Sequence, residues 1–262
     1  MSYTIVIPAR YASSRLPGKP LRAICGKPMI QRVFEQAQKS GADSVIVATD
    51  DQRIQAVSQE FGARVCMTSV DHLSGTDRLQ EVASQLEFTD DQVIVNVQGD
   101  EPLLPPENID QVAKLLLDNP EAGIATLSVP IQSRQELFDP NVVKVVTDHS
   151  GAALYFSRAV VPWMRDAFAN PEVHEDHSPA LPEGYGWQRH IGIYAYRVGF
   201  LHQYIGWEPA EIERCEALEQ LRALWNGIKI QVAIAKKRPP AGVDTEEDLS
   251  RIQSLLSAES SQ

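Results

Sequence analysis

Short apolar runs rich in β-branched residues alternate with helix-forming stretches through the first half of this 262-residue chain, and that alternation restricts its fold most. Runs at 4–7, 44–48, 93–97 and 123–129 read as strands, and the stretches 29–40, 51–61, 75–85 and 106–119 between them read as helices. The run Val93-Ile-Val-Asn-Val97 is nearly continuous in apolar residues, as a strand buried on both faces requires. Strand and helix in turn mean βαβ units and a mostly parallel sheet, the α/β class.

From about residue 132 the pattern changes. The runs 142–147, 152–157 and 191–196 read as strands with no clear helix between them, and 169–187 is a polar loop rich in Pro, Glu, His and Gly. Helix and strand return at 212–226 and 230–235, with a last helix from Thr245. Residues 1–130 and 206–262 are therefore expected to form the α/β core. Residues 131–205 would be an inserted antiparallel excursion serving as lid, dimer surface or both. Within 212–226, Ile212, Cys215, Leu218, Leu221 and Trp225 share one helical face. Glu219 and Gln220 lie off its centre and are solvated by default.

The first strand stops at Pro8 and feeds a loop of small residues carrying Arg10, Arg15 and Lys19. In an α/β protein such a loop builds an anion pocket at the carboxyl edge of the sheet. It is not a Walker A loop, because Gly18-Lys19 and Gly26-Lys27 both run into proline where that motif needs Ser or Thr. Backbone amides and the three cations would close on a polyphosphate instead. The charge distribution agrees: the chain carries −11, yet residues 1–40 carry +6 and the remainder −17. An acidic protein with one basic patch suits a specific small anion, and disfavours nucleic acid or an anionic membrane.

Composition excludes other classes. Cys25, Cys66 and Cys215 are odd in number and include no Cys-x-x-Cys pair, so neither a disulfide framework nor a zinc site is indicated, and a reducing cytoplasm is the expected compartment. No apolar run approaches the roughly 20 residues of a membrane span. Pro8 and Arg10 interrupt the only apolar run near the N-terminus, which does not read as a signal peptide.

Several constellations are candidates for chemistry. Asp100, in Gln98-Gly-Asp-Glu-Pro102, follows a buried strand where sheet ligands sit and is a metal candidate, the alternative being a structural turn. Asp244 precedes Thr245-x-x-Asp248, a capping box that occupies Thr245 and Asp248 but leaves Asp244 without a capping role. Two such carboxylates suit magnesium, which takes one or two carboxylates plus waters and substrate phosphates. Ser74 and Arg78 open a helix and could contact a nucleotide, but on these residues alone Ser74 or Thr76 as N-cap with a solvated Arg78 is the stronger reading. Arg158 and Arg165 stand beside aromatics as carboxylate candidates, and His190 and Tyr194 lie four residues apart.

Taken in order, six segments carry a resemblance. They are Ile7-Pro-Ala-Arg-Tyr-Ala-Ser-Ser-Arg-Leu-Pro-Gly-Lys-Pro20, Asn96-Val-Gln-Gly-Asp-Glu-Pro102, Tyr155-Phe-Ser-Arg158, His190-Ile-Gly-Ile-Tyr194, Glu219-Gln-Leu-Arg222 and Gly242-Val-Asp-Thr245. Together they closely resemble the 3-deoxy-manno-octulosonate (Kdo) cytidylyltransferases, or CMP-Kdo synthetases, from the first strand to the last helix. The departure is a longer loop near 169–187. The resemblance implies a Rossmann-like nucleotidyltransferase core, a homodimer through 131–205, and the reaction CTP + Kdo → CMP-Kdo + pyrophosphate for lipopolysaccharide biosynthesis. It implies that Arg10, Arg15 and Lys19 hold the triphosphate, with Ser74 and Arg78 near the nucleotide and magnesium on Asp100 and Asp244. It places Gln98, Arg165, His190, Tyr194, Glu219 and Gln220 at the sugar acid. The Gln-Gly-Asp-Glu-Pro and Tyr-Phe-Ser-Arg segments favour Kdo over another nonulosonic acid such as sialic acid, and leave Kdo and 8-amino-Kdo as alternatives that a single side chain could separate. A sensor that binds CTP without turnover has little need of both aspartates. A glycosyltransferase would carry an Asp-x-Asp motif where this strand ends in Gln-Gly-Asp-Glu.

Overall fold

The computed structural model describes residues 2–12, 16–72, 74–168 and 181–259. In chain order the first half contains β1 (Thr4–Ala9), the small hairpin β2 (Ala23–Ile24) and β3 (Lys27–Pro28), α1 (Met29–Ala37), β4 (Ser44–Thr49), α2 (Gln52–Glu60) and β5 (Arg64–Met67). It continues with α3 (Gly75–Gln85), β6 (Val93–Asn96), α4 (Pro106–Leu117) and β7 (Ile124–Pro130). The second half adds α5 (Arg134–Phe138), β8 (Lys144–Thr147), β9 (Ala153–Ser157), β10 (Gln188–Arg197), α6 (Val198–Tyr204), α7 (Glu211–Glu216), α8 (Gln220–Trp225), β11 (Ile230–Ile234) and α9 (Glu246–Glu259).

Among the described residues a nine-stranded sheet runs β11-β7-β10-β6-β1-β4-β5, with β8 paired to β10 and to β9. The pairs β11–β7, β6–β1, β1–β4 and β4–β5 are parallel, which confirms the α/β class. Pleating sends alternate β1 residues to opposite cores. Ile5 and Ile7 pack with Ile30 and Val33 of α1 and Ile109 and Val112 of α4. Val6 packs with Leu79 and Val82 of α3 and Leu201 of α6. Among the described residues no helix is long and apolar enough to cross a membrane.

The structure corrects three expectations. First, β5 was not legible, because it is a four-residue edge strand in which only Cys66 is buried. Secondly, residues 131–205 do not form a separate excursion. Their last strand, β10, lies in the main sheet, antiparallel to β6 at Tyr194–Asn96 and to β7 at Ala195–Ala125. The core thus cannot be divided at 131 and 205. Only β8 and β9 extend away as an antiparallel ribbon. Thirdly, the single helix expected over 212–226 is two. Ala217 takes a left-handed conformation (φ 50°) and reverses the chain between α7 and α8.

Candidate active site

The carboxyl ends of β1 and β6 lie side by side and release the two loops that build the site. A Cβ on Gly99 would stand 2.8 Å from the Pro8 carbonyl oxygen, so only glycine permits this approach. Beyond β1 the chain runs through Arg10 and Tyr11, and Gly18 turns it back with a left-handed φ of 66°. The Gly18 amide donates to the Tyr11 carbonyl (3.2 Å), and a tight turn over Lys19–Leu21 sends Lys19 back towards β6.

There Lys19 Nζ donates to Asp100 Oδ2 (2.6 Å) and to Asp244 Oδ1 (3.0 Å). Asp244 arrives from the far end of the chain because the Val243 amide donates to the Asp100 carbonyl (2.9 Å). Thr245 and Asp248 form the expected capping box, each side chain accepting from the other's amide, and so fix where α9 begins. Burial alone would lower the Lys19 pKa, but the two carboxylates outweigh it and hold the ammonium above the ordinary lysine value. Just behind, burial and the neighbouring Asp100 push the Glu101 carboxyl up to about 7, and its buried Oε2 has no hydrogen-bond partner among the described residues.

Two cavities open on this edge and share Gly75 and Gln98. The first, about 360 Å³, is lined by Pro8, Ala9, Arg10, Lys19, Gly99, Asp100 and Asp244. The second, about 290 Å³, has a floor of Asn96, Tyr194 and Tyr196 on adjacent strands, and a wall of Ala217, Leu218, Glu219 and Gln220 from the α7–α8 reversal. Thr76 Oγ1 donates to Glu219 Oε2 across it (3.4 Å). Burial, reinforced by Asp77, raises the Glu219 pKa. Burial likewise holds the Tyr194 phenol protonated.

The sequence-derived candidates divide accordingly. Arg10, Lys19, Asp100 and Asp244 come together in one cavity, and Gln98, Tyr194, Glu219 and Gln220 line the other. Arg15 lies outside the described residues, as does most of the loop at 169–187. Ser74 takes the capping role that its sequence context favours, and the placements of Arg78, Arg165 and His190 differ from expectation. Ser74 is the N-cap of α3 in a full capping box: its Oγ accepts from the Asp77 amide (3.1 Å) and Asp77 Oδ2 from the Ser74 amide (3.0 Å). Arg78 is fully buried and bonds Thr68 and Asp50 (2.9 Å to the latter), tying α3 to the ends of β4 and β5. Arg165 is 88% exposed, pairs with its neighbour Asp166 and reaches neither cavity. His190 stands behind the cavity, its Nε2 3.0 Å from Thr126 Oγ1 and its ring between Phe156 and Tyr194. Burial pushes its pKa down to about 3.

Sequence reasoning missed Asn96, Tyr196 and Tyr204. Asn96 alone carried a signal, as the one polar side chain in an apolar strand.

Two carboxylates and a lysine at the carboxyl edge of a parallel sheet, beside a second polar cavity, define a nucleotidyltransferase-type centre. The chain belongs to the cytidylyltransferase family, whose model matches residues 4–230. It is 60% identical to the 3-deoxy-manno-octulosonate cytidylyltransferase of Pseudomonas fluorescens, over 98% of this chain and 99% of that protein. It is 58% identical to the enzyme of the same name from Aliivibrio salmonicida, over 98% and 99%. Among solved structures, CMP:2-keto-3-deoxy-manno-octonic acid synthetase complexed with CTP superposes with a TM-score of 0.88 at 41% identity, covering 98% of this chain and 99% of that one. A cytidylyltransferase from Leptospira borgpetersenii, at a TM-score of 0.61 and 16% identity, shares the fold (98% and 87% covered).

Proposed function

We propose that this protein activates the sugar acid Kdo with CTP, releasing pyrophosphate and forming CMP-Kdo for lipopolysaccharide assembly in the cytoplasm. The observation that carries this reading is the pair of cavities meeting at Gly75 and Gln98, one cationic and carboxylate-bearing, the other lined by hydroxyls, amides and aromatic rings. The nucleotide takes the first and the sugar acid the second. The anomeric hydroxyl then faces the α-phosphorus at the shared rim, in line with the departing pyrophosphate. Phosphoryl transfer of this kind depends mainly on positioning and on neutralising charge.

Arg10 and Lys19, with Arg15 following in the same loop, hold the polyphosphate and stabilise charge on the leaving group. Gln98 stands where the two substrates touch. Tyr194, Glu219 and Gln220 orient the sugar acid. Two carboxylates that converge on one ammonium form an oxygen-donor pair that fits magnesium, which seeks one or two carboxylates and completes its shell with water and phosphate. Asp100 and Asp244 would hold the ion, which when bound supplies Lewis-acid and templating chemistry at the phosphates. The β8–β9 ribbon and the region around it supply the surface for a homodimer.

Pyrophosphate release from the purified protein with CTP and magnesium tests the reading, run with Kdo, 8-amino-Kdo, sialic acid and no sugar. Release that requires both Kdo and the metal is expected. Preference for another acid would redirect the substrate assignment, and CTP binding without release would make the protein a sensor.

A further inference from the structure

The cavity wall that the α7–α8 reversal supplies is fastened at both ends by side chains that do not line the cavity. At one end, Arg222 grips Glu213 through two parallel bonds, Nε to Oε2 (2.8 Å) and Nη2 to Oε1 (2.5 Å). Both side chains are largely buried, at 13% and 9% exposed. A planar fork on a carboxylate fixes direction as well as distance. Glu213 Oε2 also accepts from the Ala210 amide (3.0 Å), and its carbonyl accepts from Leu218 (3.2 Å) as the chain turns through Ala217. The Arg222 guanidinium lies 4.5 Å from the centre of the Tyr204 ring, whose hydroxyl donates to the Glu219 carbonyl (3.3 Å).

At the other end, Glu216 Oε1 accepts from Ser157 Oγ (2.6 Å) and Oε2 from the Arg158 amide (2.9 Å). Arg158 Nε returns a bond to the Glu216 carbonyl (2.6 Å). The reversal is thus tied to α8 through Arg222 and to β9 through Glu216. A left-handed alanine is conformationally costly and persists only where its surroundings enforce it.

We infer that Arg222 and Glu216 are positioning residues for the sugar-acid subsite, acting through Glu219 and Gln220 without touching either substrate. The inference rests on the reading of that cavity as the sugar site. The nucleotide cavity draws its walls from the loops after β1 and β6 and from Asp244, so it does not depend on the clamp. Loosening the clamp should therefore weaken one substrate and spare the other. A displacement near 1 Å at a subsite costs on the order of 10²-fold in efficiency.

The test is two-substrate kinetics of Arg222→Met and Glu216→Gln, with thermal unfolding of each and Arg222→Lys as the conservative control. The expected result is a fall of on the order of 10²-fold in kcat/KM for the sugar acid, with KM for CTP at its wild-type value. Arg222→Lys, which keeps the charge but not the fork, should recover part of the loss. Parallel losses for both substrates, or no loss in folded variants, would overturn the inference. If one variant does not fold, the other, from the opposite end of the reversal, decides by the same criterion. Wild-type protein that turns over no sugar acid would instead refute the reading on which the inference rests.

Discussion

Asp100 and Asp244, 144 positions apart in sequence, meet at the Lys19 ammonium because one backbone bond, Val243 to Asp100, joins their loops. Loss of one charge stabiliser costs on the order of 10²–10³ in rate in comparable sites. Lys19→Ala and Asp100→Asn are each expected to lose that much kcat while retaining the wild-type circular dichroism spectrum; near-normal turnover in either would remove it from the machinery. His190 gives a pH signature. Its pKa is about 3 in the folded protein against 6.5 when exposed, so above pH 6.5 both states are neutral and its contribution to stability is constant. Below that, the unfolded chain takes up a proton that the folded one refuses, and stability falls until the folded value is reached. The loss amounts to on the order of 3 kcal/mol by about pH 4.5. The Glu101 carboxyl, raised to about 7, acts in the opposite sense over the same range, so the readout is the difference between two proteins. The wild type should lose melting temperature relative to His190→Gln, which can still bond Thr126, as the pH falls from about 7 to 4.5. Residue identity alone showed which side chains were chemical, but not their direction. Ser74, Arg78, Arg165 and His190 all had the right chemistry, yet a cap, a buried ion pair, an exposed neighbour and an aromatic packing site claimed them.

Among the elements, α3 separates local from ligand roles. Its capping box satisfies two orphan amides, and removing an N-cap side chain costs about 1 kcal/mol. Ser74→Ala should lower the melting temperature and leave KM for CTP unchanged, whereas Ser74→Asn, another good cap, should restore stability. A raised KM with normal stability would return Ser74 to the nucleotide site. The parallel strands other than β5, and the helices α1 to α4, were legible from the alternation of apolar runs with helix-forming stretches. The Thr245 box was legible from capping chemistry. The α7–α8 break was not: Ile212, Leu218 and Leu221 keep helical spacing across it, and nothing in Ala217 announces a left-handed turn. The Glu213–Arg222 pair brackets that turn, and Ser157 and Arg158, distant in sequence, hold it through Glu216. Glu219 and Gln220, which helical spacing alone leaves to solvent and the resemblance places at the sugar acid, line the cavity for that reason.

In the whole molecule, β6 and β7 are neighbours only through β10, whose Tyr194 and Tyr196 also floor the second cavity. Joining residue 130 directly to 206 would leave two buried strands with unpaired edges. The expected product is an aggregating chain without a cooperative thermal transition by calorimetry; a folded, monomeric deletion protein would restore the division at 131 and 205. An antiparallel run following a parallel set reads in sequence as an appendage, since pairing between distant strands leaves no periodic trace. The same interleaving sets a schedule during synthesis. A ribosome that has made the first 187 residues has delivered both flanking strands and the phosphate loop, but not the strand that unites them. The nascent chain must wait, its central sheet split, until β10 has left the exit tunnel. That interval, more than the finished protein, is when a cell's chaperones have a reason to hold it.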